Sequence, residues 1–169
     1  MRESRSRAHS CGELTMVKAM ADDFAEMLNG SLDGWSKAMG LRFVSATADE
    51  VVAELEVGAP HRQPYGLVHG GVHAGLVETV ASVGAGLHAM ARGRTIVGLE
   101  NHTSFLHAVR EGVLRVRGLP LTRGRTTQVW EGTITDATGR IAATGRVRFL
   151  CLEPGAEVAG ETVAIKPTS

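Results

Sequence analysis

The sequence predicts an α+β domain in which an antiparallel sheet packs on one long helix. Three observations carry this. Segment 70–90 has the length and apolar content of a single long helix. Segments of β character lie on both sides of it, two before and four after. No linker-like stretch divides the 169-residue chain. An order α-β-β-α-β-β-β-β has one economical solution, a sheet whose apolar face covers the helix.

The elements follow in order. "TMVKAMADDFAEMLNG" (15–30) places Met16, Met20, Phe24, Met27 and Leu28 near helical spacing and stops at Asn29-Gly30. In 41–58 a strand and a turn near Asp49 precede a second strand, where Val51, Ala53, Leu55 and Val57 alternate with Val52, Glu54 and Glu56. A loop with Pro60 and Pro64 leads into the long helix. Strands are then expected over 96–105, 113–121, 127–135 and 140–150, separated by turns at 110–112, 122–125 and 136–139. The organisation expected is an arm and short helix (1–30), the folded unit (31–152) and a tail (153–169).

Composition narrows the function. Eighteen basic residues balance eighteen acidic ones, so a nucleic-acid footprint is not expected. No apolar run reaches the roughly 20 residues that span a bilayer. The polar N-terminus has no secretory signal core. Cys11 and Cys151 have no CxxC partner, and a cytoplasmic protein with reduced thiols is expected.

The long helix is unusual. On a wheel, Val72, Leu76, Val80, Val83, Leu87 and Met90 form one apolar side, the expected core face. The other side holds Gly71, Ala74, Gly75, Glu78, Ala81, Ser82, Ala85, Gly86 and Ala89. Small residues there admit close approach of another backbone or a ligand. Glu78 is the one acid, with Ser82 one turn on. A carboxylate placed against an electrophile works as base or nucleophile.

The helix start supplies a complementary half. "VHGG" (68–71) opens the helix, and its first N–H groups lack internal partners. They favour an oxyanion. Gly70 N–H and the Gln63 amide could together polarise a carbonyl. Gly70 and Glu78 are eight residues apart, about 12 Å along the axis. One atom cannot be near both on one helix, so a shared carbonyl requires Glu78 from a second chain. Two antiparallel helices across a twofold axis give two composite sites.

"HRQPYGLVHGGVHAGLVETVAS" (61–82) and "VGLENHTSFLHAVREG" (97–112) resemble the hotdog-fold acyl-CoA thioesterases, in the 4-hydroxybenzoyl-CoA and phenylacetyl-CoA thioesterase branch. The matching pattern is Gln63, His69-Gly70-Gly71, Glu78 and Ser82, and the resemblance covers about residues 35–152. It implies a curved antiparallel sheet wrapped around a long central helix, in dimers or a dimer of dimers. It implies hydrolysis of the thioester of an aryl- or medium-chain acyl-CoA, with no cofactor beyond the coenzyme A of the substrate. In it Gly70 N–H and Gln63 polarise the carbonyl and His69 orients the loop. Glu78 of the partner subunit attacks or activates water, and Ser82 holds the water or the carboxylate. Gly71, Asn101 and Thr103 are expected along the substrate channel. Arg123, Arg125 and Thr126 of "TRGRTT" are expected at the coenzyme A phosphates. His107 stands where close relatives carry an arginine.

Three rival readings remain at this level. His61, His69 and His73 raise a metal site, but the HExxH pattern is missing. A hotdog hydratase or dehydratase would need a different motif. A non-catalytic acyl-CoA-binding module could share the fold.

Overall fold

The computed structural model describes residues 22–163. Two short helices, α1 (Ala25–Gly30) and α2 (Gly34–Ala38), precede strands β1 (Arg42–Ala46) and β2 (Val51–Glu56). The long helix α3 spans Gly70–Met90, as the sequence predicts. Four strands follow: β3 (Thr95–Phe105), β4 (Val113–Arg123), β5 (Thr127–Thr135) and β6 (Ile141–Leu152). They form one sheet in the order β1-β2-β4-β5-β6-β3, antiparallel at every step.

Three expectations change. The first helix was expected from residue 15; residues 15–21 lie outside the described residues, as does Cys11, and α1 begins at Ala25. There Asp23 Oδ1 accepts from Ala25 N–H and from Ala46 N–H, both at 2.9 Å, which ties the chain to β1 before the helix starts. Helix α2 was not foreseen, because one turn capped by Asp33 leaves too few residues for periodicity. The expected tail contains a small hairpin, β7 (Glu157–Val158) with β8 (Glu161–Thr162). Its turn puts Ala159 and Gly160 at φ 52° and 80°, the left-handed pair that a tight two-residue hairpin needs.

The core lies between α3 and the sheet. Trp130, Phe149, Leu55, Leu76, Leu114 and Ile134 are at most 1% exposed. The face of α3 that meets them overlaps the expected one only in part. His73, Val77, Ala81, Gly84, Ala85, His88 and Ala89 are buried with Val72, Leu76 and Val80, whereas Met90 is 54% exposed and Val83 and Leu87 are half-buried. Ala81, Ala85 and Ala89 of the supposed open face are part of the bed on which the sheet lies.

Close approach explains the rotation. A Cβ on Gly84 would overlap the Trp130 ring, and one on Gly75 would overlap the Trp35 ring of α2. On the sheet side, a Cβ on Gly118 would be 2.9 Å from Val80 Cγ2, and one on Gly132 would be 3.0 Å from Val77 Cγ1. Gly118, Gly132 and Gly145 are cross-strand neighbours on β4, β5 and β6. This glycine row removes side chains where the helix crosses, so the sheet curls onto it.

The two sheet edges differ. The Asn29 side chain accepts from Phe43 N–H (2.8 Å) and donates to Phe43 O (2.9 Å), copying a neighbouring strand along β1. Phe24 and Asp23 cover the Ala46 end. The 11-residue β3 has no such cover among the described residues. A long bare edge invites pairing with another strand.

Candidate active site

Glu78 projects from mid-helix toward β3. Its Oε2 accepts from Asn101 Nδ2 at 2.8 Å, and its Oε1 faces Ser82 Oγ at 3.4 Å. Asn101 Nδ2 also donates to Ala74 O at 3.1 Å, and Asn101 Oδ1 accepts from Thr103 Oγ1 at 2.7 Å. The Thr103 bond sets the amide orientation, because the oxygen must face the hydroxyl and the NH2 the carboxylate. Two close approaches bring this about. Thr103 pairs with Gly145, where a Cβ would be 2.5 Å from Thr103 Oγ1, and the β3 bulge brings Gly98 against Glu78 Oε1. Glu78 is half-buried, and each of its oxygens, with one partner among the described residues, keeps a further lone pair.

The helix start is built differently. His69 is the N-cap, and its Nδ1 accepts from Gly71 N–H at 2.9 Å. That leaves Gly70 N–H without an acceptor among the described residues. The Phe105 ring lies over Gly70, with ring carbons 2.7 Å from where a Cβ would be. Gln63 sits in a tight loop closed by Gln63 N–H to Leu67 O and Gly66 N–H to Gln63 O, each 2.8 Å. Arg110 donates to Tyr65 O and Arg62 to Arg110 O, both at 2.9 Å, and so clamp the loop. Gln63, Gly70, His73, Phe105 and Val109 line a pocket of about 430 Å³. Burial holds His73 below the ordinary imidazole pKa.

A second pocket, about 190 Å³, opens at the far end of α3 between Arg92, Arg94, Arg123 and Arg125, with His88 and Cys151 at its base. Arg123 pairs with Asp49 at 2.5 Å and donates to Ala48 O at 3.0 Å. Arg94 pairs with Glu153, and Arg125 approaches the same carboxylate at 3.6 Å. Four guanidinium groups face two carboxylates, a net positive site. Thr126 is exposed beside it, with its carbonyl bonded to Cys151 N–H at 2.8 Å.

His88 is 4% exposed, and burial first, then the Arg92 and Arg123 charges, push its pKa down to about 4, with Asp49 opposing. A folded-state value below the unfolded 6.5 means that only the unfolded chain gains the proton in between. Stability should therefore fall as pH drops from about 6.5 toward 4. A His88→Asn variant should show a flatter unfolding midpoint across that range; an identical pH profile would contradict the assignment.

The structure thus brings Glu78, Ser82, Asn101 and Thr103 together, and separately Gln63, Gly70 and the His69 cap. Gly71 N–H is taken by His69. Asn101 and Thr103, expected along the channel, hold the carboxylate. Within one chain Glu78 does not line the Gln63 pocket. The metal alternative loses His61, whose Nδ1 accepts from Gly58 N–H at 2.7 Å and whose Nε2 faces Met39 O at 3.0 Å. Arg92 and Arg94 were missed, since nothing in the sequence says that the end of α3 meets the β4–β5 turn. The glycines inside β4, β5 and β6 were the available signal for the row beneath the helix.

A long helix wrapped by an antiparallel sheet is the hotdog fold, and the relatives of this chain place it among thioester hydrolases. Residues 65–143 match the model of the thioesterase superfamily. The proofreading thioesterase EntH of Klebsiella pneumoniae subsp. pneumoniae is 36% identical over 121 residues, 71% of this chain and 88% of that one. The 1,4-dihydroxy-2-naphthoyl-CoA hydrolase of Listeria monocytogenes is 33% identical over 113 residues, 67% of this chain and 91% of that one. The crystal structure of a Haemophilus influenzae thioesterase superposes with TM-score 0.72 at 28% identity, covering 76% of this chain and 90% of that chain. The chain belongs to the thioesterase superfamily. No helix among the described residues is long and apolar enough to cross a membrane.

Proposed function

We propose that the protein hydrolyses aryl- or medium-chain acyl-CoA thioesters at sites shared between two copies of the chain. The thioester oxygen accepts from Gly70 N–H and Gln63 of one subunit. Glu78 of the other deprotonates an attacking water or adds to the carbonyl carbon itself. Either path yields a tetrahedral oxyanion held by those two donors and expels the coenzyme A thiolate, which takes up a proton; on the second path a water then hydrolyses the Glu78–acyl anhydride, releasing the acid and restoring the carboxylate. Water is the only co-reactant, so no cofactor is required.

The observation that carries this reading is the separation of the two halves. Glu78 is held by Asn101 and Ser82 far from the pocket that contains Gln63 and Gly70. The contrast between the covered β1 edge and bare β3 supports pairing through β3. The arginine pocket suits the phosphates of coenzyme A, with Arg123, Arg125 and Thr126 joined by Arg92 and Arg94. The name of the Listeria relative supports a thioester of an aryl acid, and that of the Klebsiella relative supports a thioesterase.

Release of free thiol from a panel of aryl- and alkyl-CoAs tests the activity. Gln63→Ala should cost about 3 kcal/mol of barrier, roughly a hundredfold in kcat/KM. Mixing Glu78→Ala and Gln63→Ala chains should restore activity, because each mixed dimer holds one intact and one doubly defective site. No recovery after proven subunit exchange would rule out the shared site.

A further inference from the structure

We infer that two copies of the chain join along β3 in one register, with Asn101 facing its own copy across the twofold axis and Glu100 facing the partner's His102. The inference rests on the shared site proposed above. If Gly70 N–H and the partner's Glu78 serve one carbonyl, the antiparallel helices pass the axis midway between those positions. That point is Ala74, about 6 Å along the helix from each. Ala74 O accepts from Asn101 Nδ2 at 3.1 Å, so Asn101 is the β3 residue level with it. A twofold axis through an antiparallel strand pair sets one residue opposite its own copy. Here that residue is Asn101.

The side chains of β3 agree with this register on separate grounds. Past its bulge the strand runs regularly against β6, with Glu100 opposite Arg148, Asn101 opposite Val147 and His102 opposite Arg146. Val147 is fully buried and both arginines are exposed, so Asn101 points toward the helix, while Glu100 and His102 lie on the outer face. With Asn101 on the axis, Glu100 opposes the partner's His102 twice, once on each side. An imidazole N–H can donate to a carboxylate, and complementary cross-strand pairs stabilise a sheet. Strand β6 brings Arg146 and Arg148 to the same patch; Arg148 lies 3.2 Å from the Glu100 carboxylate, and Arg146 donates to Glu131 at 3.1 Å. An axis at Glu100 would instead set two carboxylates face to face, and one at His102 would set two imidazoles face to face beside Arg146. Apolar side chains flank the stretch on both sides: Leu99 is 50% exposed, Phe105 58% and Leu106 60%. A second β3 centred on Asn101 runs beside all three and covers them.

Disulfide trapping tests the register. Directly opposed strand residues have Cα atoms about 4.5 or 5.5 Å apart, within reach of a disulfide, whereas residues two positions out of register are too far. Asn101→Cys should therefore link to its own copy. Glu100→Cys and His102→Cys chains should give almost no linked dimer alone, and should link to each other once they have exchanged subunits. Opposed pairs alternate between the two spacings, so one of these two links has the closer one. Mild oxidation, non-reducing electrophoresis and mass spectrometry of the joined peptides separate these bonds from any made by Cys11 or Cys151. Glu100→Cys or His102→Cys linking to its own copy would move the axis and overturn the inference. So would a chain that stays monomeric, or folded dimers in which neither expected link forms. Both links in a protein whose wild type hydrolyses no thioester would sink the proposed function and keep the register. Activity restored by mixing Glu78→Ala with Gln63→Ala chains, without the links, would keep the shared site and reject the register.

Discussion

Glu78→Gln should lower kcat about a thousandfold while fold and subunit assembly survive. The amide is isosteric with the carboxylate. Its oxygen can still accept from Asn101 Nδ2, and its NH2 can face Ser82 Oγ, so the contacts at 2.8 and 3.4 Å persist in kind. What it loses is the negative charge and the basic lone pair, and thereby both routes to the tetrahedral intermediate. Asn101→Ala should cost less, because it frees the carboxylate to swing without neutralising it. Steady-state hydrolysis of a good substrate decides the matter. A Glu78→Gln protein with wild-type kcat would remove the carboxylate from the mechanism.

Gly84→Ala should destabilise the fold by about 2 kcal/mol, although alanine is the better helix former by about 1 kcal/mol. The added methyl would enter the Trp130 ring. That ring cannot withdraw easily. It is fully buried, its Nε1 donates to Gln128 Oε1 at 3.1 Å, and Gln128 Nε2 in turn donates to Ala85 O at 3.1 Å. Strand β5 and helix α3 are therefore locked by a buried polar bridge beside the point of contact, and strain there has no soft direction. Chemical denaturation of wild type and variant gives the difference. Equal or higher stability of Gly84→Ala would show that the helix and sheet are not in this contact.

Much of this was legible in one dimension. The 70–90 helix was bounded by the glycine pair at its start and the "ARGRT" stretch after its end, and its limits agree with α3. Strand alternation placed all six strands of the main sheet within a few residues. The Glu78–Ser82 pair was readable because one helical turn separates them. The wheel failed in an instructive way. It assumed that large side chains mark the buried face, yet Ala81 and Ala85 are buried, and so is Gly84, where the Trp130 ring comes too close for a side chain.

The sequence by itself determined the element order, the carboxylate at mid-helix and the donor group at the helix start, because each depends on spacing along one chain. Tertiary structure alone decided which face of α3 meets the sheet, which strand edge stays bare, and that Asn101 and Thr103 steer Glu78. It also gathered Arg92 and Arg94 with Arg123 and Arg125. These depend on how closely two backbones approach across the core, which is set by glycines and rings that lie far apart in sequence.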